Sequence, residues 1–94
     1  MNGGEFLMLA RATCYCNDLF RDAARLRIPL EAAEVEATAE FPGVGLAASN
    51  IRYRAKVQSS APEEEIAWLV RETDAVAEVH NAIRDGCPVE LLSK

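Results

Sequence analysis

The segment from residue 5 to residue 26 contains neither proline nor glycine and is rich in apolar residues, which predicts one long helix. Each residue turns an α-helix by about 100°, so side chains two positions apart point to nearly opposite faces. Cys14 and Cys16 stand in the middle of this segment, and the helix therefore separates their thiols. The segment ends in a cationic sequence around Arg27, and Pro29 just beyond it helps to stop the helix.

The two cysteines fall on stripes of different character. The apolar stripe of Cys16 holds Leu9, Ala12, Leu19, Phe20 and Ala23, and the more polar stripe of Cys14 holds Leu7, Ala10, Arg11, Asn17, Asp18 and Arg21. Nearby cations favour the thiolate, which is the reactive form of cysteine. We therefore predict that Cys14 is the reactive thiol and that Cys16 is a core residue. The alternative for any free cysteine is a small buried hydrophobe.

Two later segments predict an antiparallel hairpin. Residues 31–41 and 50–58 each alternate between apolar and charged side chains, as half-buried strands do. The outward charges are acidic on the first segment and basic on the second, which favours pairing by roughly a few tenths of a kcal/mol per pair. The glutamate row is expected to neutralise the basic row, so that no anion-binding platform results. Residues 42–45 supply the turn.

Two shorter helices are predicted after the hairpin. Residues 60–63 read Ser-Ala-Pro-Glu, a capping-box pattern with proline in the first helical turn. The buried stripe of that helix consists of Ile66, Leu69, Val70 and Thr73. Another helix begins near Asp74 and ends at Gly86, a natural C-cap. With a short last strand at residues 88–92, the expected fold is α+β: a long helix, an antiparallel hairpin, two shorter helices and that strand.

Length and composition exclude several classes of protein. The 94 residues allow one domain, residues 1–94, whose limited core makes an oligomer plausible. The net charge of −5 argues against nucleic acid as a partner. No run reaches the ~18 apolar residues of a membrane helix, and Glu5 and Arg11 interrupt any signal-like segment. Three cysteines without regular spacing indicate free thiols and a cytoplasmic location.

Neither a metal site nor a cofactor is predicted. The candidate ligands are Cys14, Cys16, His80 and Cys87, but the two helical thiols diverge, whereas zinc needs thiolates that converge on one point. The same divergence argues against a disulfide between Cys14 and Cys16. His80 is interpreted as a hydrogen-bonded residue rather than a catalyst. Cys87, at a turn, is interpreted as partly buried and inert.

Four stretches of the chain carry a resemblance to a known family. They are Gly4-Glu5-Phe6-Leu7-Met8-Leu9-Ala10 with Ala12-Thr13-Cys14; Arg27-Ile28-Pro29-Leu30-Glu31 with Val35-Glu36; Ser60-Ala61-Pro62-Glu63-Glu64-Glu65; and Asn81-Ala82-Ile83-Arg84-Asp85-Gly86 with Pro88-Val89. In this order they resemble the central helix, the helix-to-strand exit, the start of the second helix, and the closing helix and strand of the OsmC/Ohr family of thiol-dependent hydroperoxide reductases. Their order and spacing, rather than any single motif, carry the resemblance.

The resemblance implies an OsmC-like α+β fold, an intertwined homodimer, and active sites at the interface beside two long central helices. The peroxide-attacking cysteine of the family falls on Cys14, in agreement with the argument from helix faces. The family's resolving cysteine falls on Ala77, which has no thiol. The family's helix-start glutamate falls on Gly4, one position before Glu5. The arginine that this glutamate orients belongs to an N-terminal sheet, so the chain resembles a C-terminal-half version of the fold.

Two hypotheses of function follow. In the first, Cys14 attacks an organic hydroperoxide, and Arg11 or Arg21 favours its thiolate and stabilises the departing oxyanion. Because Ala77 cannot close a disulfide, an external thiol reductant, Cys87 or a partner chain would have to reduce the oxidised Cys14. In the second, the chain is a non-catalytic, OsmC-like dimeric scaffold or a small-ligand-binding protein.

Overall fold

The computed structural model describes residues 2–92, which form three helices and one two-stranded sheet. The elements follow in the order α1 (Gly3–Leu26), β1 (Ala32–Glu40), β2 (Ser49–Gln58), α2 (Glu63–Ala75) and α3 (Glu78–Asp85). The predicted α+β fold is thus confirmed. Helix α1 packs mainly against β1 and α2, and its contact with α3 is smaller.

A reciprocal cap fixes the start of α1. The Glu5 backbone N–H donates to Asn2 Oδ1 at 2.9 Å, and Asn2 Nδ2 donates to Glu5 Oε1 at 3.1 Å. Gly4 lies in this first turn against the Phe41 ring, and a Cβ placed on Gly4 would come within 2.6 Å of that ring. A glutamate at this position would therefore require Phe41 to move, and the carboxylate of Glu5 is occupied by the cap.

The end of α1 uses a left-handed residue. Arg27 has a φ of 58°, and the Ile28 N–H donates to the Ala23 carbonyl at 2.9 Å. This is the hydrogen bond of a Schellman-type cap, in which glycine is more usual because a Cβ disfavours positive φ. The cap turns the chain towards β1 before Pro29.

Strands β1 and β2 pair antiparallel with opposite charges facing each other on the solvent side. Glu34 lies opposite Lys56, and Glu36 lies opposite Arg54. The other side is half-buried, and on it Tyr53 lies opposite Ala37. The alternation in the sequence predicted both the pairing and the buried side, because strand side chains repeat with a period of two.

The predicted capping box at the start of α2 is wrong. The helix begins at Glu63 with Pro62 as its N-cap, and no side chain caps it. Ser59, one residue before the expected cap, donates its hydroxyl to the Pro29 carbonyl and accepts from the Ala61 N–H at 3.0 Å. This contact fixes the segment before α2 and does not cap the helix. At the C-terminal end of α3, Gly86 adopts the left-handed C-cap conformation as predicted, with a φ of 65°.

The predicted last strand at residues 88–92 is also wrong. Residues 88–92 have no strand structure, and Val89 and Leu91 are 95% and 96% exposed. A strand needs a neighbour to pair its backbone N–H and carbonyl groups. Within residues 2–92 the only sheet is the β1–β2 pair, so this segment has no partner.

The core lies where α1 meets the hairpin, α2 and the start of α3. It consists of Tyr15, Leu19, Ala23, Ile28, Leu69 and Ala77. Thr73 is fully buried beside this core, in agreement with the predicted stripe of α2. Across residues 2–92, no helix combines the length and apolar character needed to cross a membrane.

Candidate active site

The structure places the three free cysteines in different settings. Cys14 and Cys16 are both half-buried on α1, and Cys87 is exposed after α3. The Cys16 thiol lies 3.7 Å from the Ala33 carbonyl oxygen on β1. The prediction that Cys16 belongs to the core is therefore wrong, because its thiol packs at the edge of the hairpin and remains partly accessible. Cys87, expected to be partly buried, is exposed because the segment after Gly86 does not pair.

The buried stripe of α1 is rotated from the predicted one. It consists of Met8, Arg11, Tyr15, Asp18, Leu19, Asp22 and Ala23. Leu9 and Phe20, which were expected in the core, remain 51% and 41% exposed. The charged residues of this stripe are buried because other side chains cover them: Tyr53 of β2 lies against Arg11, and Arg21 of α1 pairs with Asp22. Cys14 lies at the margin of this stripe, next to Tyr15 in sequence.

Arg11 is buried, with only 4% of its surface exposed. Its guanidinium carbon lies 5.9 Å from the centroid of the Tyr53 ring, and its Nε and Nη1 have no hydrogen-bond partner. Burial, followed by the charge of Arg84, lowers the pKa of Arg11. Residues three apart are neighbours on a helix, so the Arg11 and Cys14 side chains start about 5–6 Å apart at Cβ. Arg11 and Cys14 are thus neighbours on α1, and the Arg11 guanidinium lies against the Tyr53 ring of β2.

Arg21 is engaged elsewhere. Its guanidinium lies 3.1 Å from Asp22, 3.3 Å from Asp18 and 3.3 Å from Glu78. The hydrogen bond with Asp22 is the main cause of the raised pKa of Arg21. Three carboxylates thus offset the charge of Arg21, which lies two helical turns after Cys14. Its contact with Glu78 links α1 to the start of α3.

Ala77 is buried, with 2% of its surface exposed, in the same core cluster as Tyr15 and Leu19. It precedes α3 directly as the N-cap residue. Cys87 follows the opposite end of that helix, which rises about 1.5 Å per residue. Cys87 is therefore displaced by the length of α3 from Ala77, the residue on which the resemblance places a resolving cysteine.

An aromatic cluster that sequence reasoning missed lies next to Arg11. Tyr15 and His80 stack at a centroid distance of 5.2 Å, and Tyr53 tilts against both at 4.7 Å and 4.5 Å. His80 is 1% exposed, and neither ring nitrogen has a partner. The interpretation of His80 as a hydrogen-bonded residue is thus wrong. The only sequence signal was the inward position of Tyr53 in β2, which does not reveal what packs on it.

Hydrogen bonds at the edge of this cluster fix its polar groups. The Tyr53 hydroxyl donates to Asp74 Oδ1, which also accepts from Arg84 Nη2, and the Tyr15 hydroxyl donates to the Val70 carbonyl at 2.7 Å. Burial raises the pKa of Tyr15 to about 12 and also raises the pKa of Tyr53. Burial opposes ionisation of Asp74, but the bonds from Arg84 and Tyr53 hold its pKa below its usual value.

The described residues do not bring metal ligands together. Between residues 2 and 92, no group of three histidine, cysteine, aspartate or glutamate side chains is arranged to hold a metal ion. The chemistry that the site offers is that of a free thiol, a buried guanidinium and neutral aromatic groups.

The structure is thus that of an α+β protein with a free thiol, Cys14, on its long helix. The buried Arg11 precedes this cysteine by one helical turn. The family model described as OsmC-like protein matches residues 1–92, and the chain therefore belongs to the OsmC-like family. No curated protein matches the sequence significantly.

Two solved structures share the fold. An organic hydroperoxide resistance protein OsmC from Legionella pneumophila is similar with a TM-score of 0.74 and 18% identity, over 89% of this chain and 62% of that chain. An organic hydroperoxide resistance protein from Vibrio cholerae, with captopril bound in one active site, is similar with a TM-score of 0.71 and 21% identity, over 89% and 58%. The chain thus spans about three fifths of the length of these structures.

Proposed function

We propose that the protein reduces organic hydroperoxides through Cys14 and uses an external thiol as reductant. The observation that carries this proposal is a free, partly accessible Cys14 thiol one turn after the buried guanidinium of Arg11. A cation in a poorly hydrated position is screened little, so Arg11 can stabilise the negative charge that develops on the leaving oxygen. Membership of the OsmC-like family and the names of the two structural relatives support the same chemistry.

The reaction begins with the Cys14 thiolate. Its sulfur attacks one peroxide oxygen, an S–O bond forms, the O–O bond breaks, and the alkoxide leaves and takes up a proton to become an alcohol. The sulfur is oxidised to a sulfenic acid while the peroxide is reduced by two electrons. Arg11 provides the charge beside the reacting atoms, and Arg21 is a positioning residue through its contact with Glu78.

The oxidised Cys14 then needs a thiol from outside the chain. Ala77 carries no sulfur, and Cys87 lies beyond the far end of α3. An external thiol attacks the sulfenic sulfur and releases water to give a mixed disulfide, and a second thiol restores Cys14 as the reductant becomes a disulfide. The reaction requires no metal or bound cofactor, and free thiols of this kind suit the reducing cytoplasm.

The protein acts as a homodimer in this proposal. Phe6, Leu9 and Phe20 on α1 are 59%, 51% and 41% exposed, and a second copy is the occupant that would cover them. Sedimentation at micromolar concentration should give about twice the chain mass of 10.3 kDa. A species of one chain mass across that concentration range would remove the dimer from the proposal.

A second candidate function is a non-catalytic, ligand-binding scaffold. The observation that favours it is the buried alanine at position 77, where the resemblance places a resolving thiol. An open groove of about 560 Å³ between the start of α1 and β1 offers space for a ligand or a partner. This function predicts that Cys14 reacts with peroxide no faster than a free thiol does.

Steady-state turnover separates the two functions. Consumption of cumene hydroperoxide with excess thiol reductant should be fast in the wild type and in Cys87→Ser, and should fall to the uncatalysed rate in Cys14→Ser. Cys16→Ser is the matched control, because it removes a half-buried thiol from the same helix. Equal turnover in Cys14→Ser and the wild type would contradict the peroxidase function and favour the scaffold function.

A further inference from the structure

A cavity of about 400 Å³ lies between α1, β2 and α3, beside the aromatic cluster. Its lining consists of Arg11, Ile51, Arg52, Tyr53, His80, Ile83 and Arg84. Cys14 does not line it. The strand alternation directs Ile51 and Tyr53 inward, and Arg52, on the solvent side of β2, lines the cavity as well.

Two of the lining side chains are buried with unused hydrogen-bonding groups. Arg11 is 4% exposed and leaves Nε and Nη1 without a partner, and His80 is 1% exposed and leaves both ring nitrogens without one. Burying a polar group costs free energy unless a hydrogen bond compensates, and a buried charge costs more. The Arg11 guanidinium carbon lies 5.9 Å from the centroid of the Tyr53 ring. The face of a ring does not accept the hydrogen bonds that the N–H groups donate within the guanidinium plane.

The charges of Arg11, Arg52, Arg84 and Asp74 around the cavity sum to about two positive charges. Arg84 is paired with Asp74, and Asp74 also accepts from Tyr53. Burial, followed by the charges of Arg11 and Arg84, lowers the pKa of His80, so its ring is neutral at pH 7. Among the described ion pairs Arg11 has no counter-ion, and it is the buried one of the two unpaired cations, Arg11 and Arg52.

We propose that this cavity binds a small organic carboxylate, whose oxygens accept from the Arg11 guanidinium and from one ring nitrogen of His80. A guanidinium fork matches a carboxylate with two parallel hydrogen bonds. The apolar body of the ligand packs against Ile51 and Ile83. The site goes beyond the thiol chemistry of the proposed function and does not require Cys14.

A carboxylate with a carbon skeleton fits better than an inorganic phosphate because part of the wall is apolar. The two isoleucines make part of the wall apolar, which suits a carbon skeleton more than a hydrated inorganic ion.

The test is an NMR titration of the full chain with benzoate, and with the neutral amide benzamide as the matched probe. His80 is the only histidine, so its ring C–H resonances report on the cavity without assignment ambiguity. Benzoate should shift them saturably, and benzamide at the same concentrations should not. Arg11→Gln should weaken benzoate binding at least about tenfold, the size of effect expected from losing a charged hydrogen bond.

Arg54→Gln is the control variant, because it removes the same charge from the solvent face of β2. Binding within about twofold of wild type is expected there and in Cys14→Ser. Unchanged benzoate binding in Cys14→Ser would separate this site from the peroxidase proposal. Equal shifts with both probes, no saturable shift with benzoate, equal weakening in Arg54→Gln, or tighter binding of inorganic phosphate than of benzoate would each overturn the carboxylate site.

Discussion

The Arg21 guanidinium lies 3.3 Å from the Glu78 carboxylate, and this contact holds the start of α3 against the side of α1 that carries Cys14. Ala77 directly precedes Glu78 and is buried in the core with Tyr15. The fold thus packs Ala77, on which the resemblance places the family's resolving cysteine, against α1.

Replacing Ala77 with cysteine is expected to give an internal disulfide with Cys14 after limited peroxide treatment. A disulfide requires Cα atoms within about 7 Å, and we expect the start of α3 to meet this limit while the middle of the helix does not. Non-reducing peptide mass spectrometry detects the bridge. Ala82→Cys, at an exposed position on α3, is the matched control. An equally frequent bridge in the control, or none in Ala77→Cys, would contradict the placement.

Leu19 and Leu9 test the rotated stripe of α1. Leu19 is fully buried, so Leu19→Ala should lower the free energy of unfolding by about 2–5 kcal/mol. Leu9 is 51% exposed, and Leu9→Ala should change the stability of the monomer by less than about 1 kcal/mol while it weakens the proposed dimer. Urea unfolding measured at several protein concentrations separates the two effects. A larger loss in Leu9→Ala at low concentration would restore the originally predicted core face.

His80 predicts a loss of stability on mild acidification. The groups around its ring are Tyr15, Tyr53, Arg11, Arg84 and Asp74. Burial lowers the pKa of His80 from 6.5, so the unfolded chain takes up the proton first. Its stabilising contribution is therefore present above about pH 6.5 and is lost as the pH falls through the lower pKa of the folded state.

Comparison with a variant that lacks this histidine isolates its effect between pH 7 and pH 5, because burial also raises the pKa of Asp18 above 3.8. Asp22 and Asp74 have pKa values lowered from 3.8, so their contribution is lost only at more acidic pH. The free energy of unfolding should fall more between pH 7 and pH 5 in the wild type than in His80→Gln. A direct NMR titration of the His80 ring with a midpoint at or above 6.5 would contradict the lowered pKa.

Local patterns in the sequence predicted the elements better than the faces they bury. The antiparallel hairpin and its two faces, with acidic residues such as Glu34 opposite basic ones such as Lys56, follow from a period of two and need no knowledge of distant residues. The buried face of α1 depends on Tyr53 and His80, which are far away in the sequence, and Arg11 is buried only because they surround it. Hydrophobic periodicity has no access to such partners.

The candidate site divides in the same way. Cys14 could be proposed because a helix fixes which residues flank it, and the structure places the Arg11 side chain on the adjoining buried stripe. Pairing of Arg21 with three carboxylates could not be predicted, since Glu78 comes from another helix. The carboxylate cavity is assembled from three elements, and no stretch of sequence indicates it.

The most direct test of the central claim compares the three thiols after limited hydroperoxide treatment. A sulfenic-acid trap and peptide mass spectrometry measure oxidation at each cysteine, and Cys14→Ser is the control. If exposure alone set reactivity, Cys87 would be labelled first, because it is exposed while Cys14 is half-buried. The account predicts the order Cys14, then Cys87, then Cys16, with no fast bridge between Cys14 and Cys16. Labelling led by Cys87, or equal labelling of all three, would contradict it.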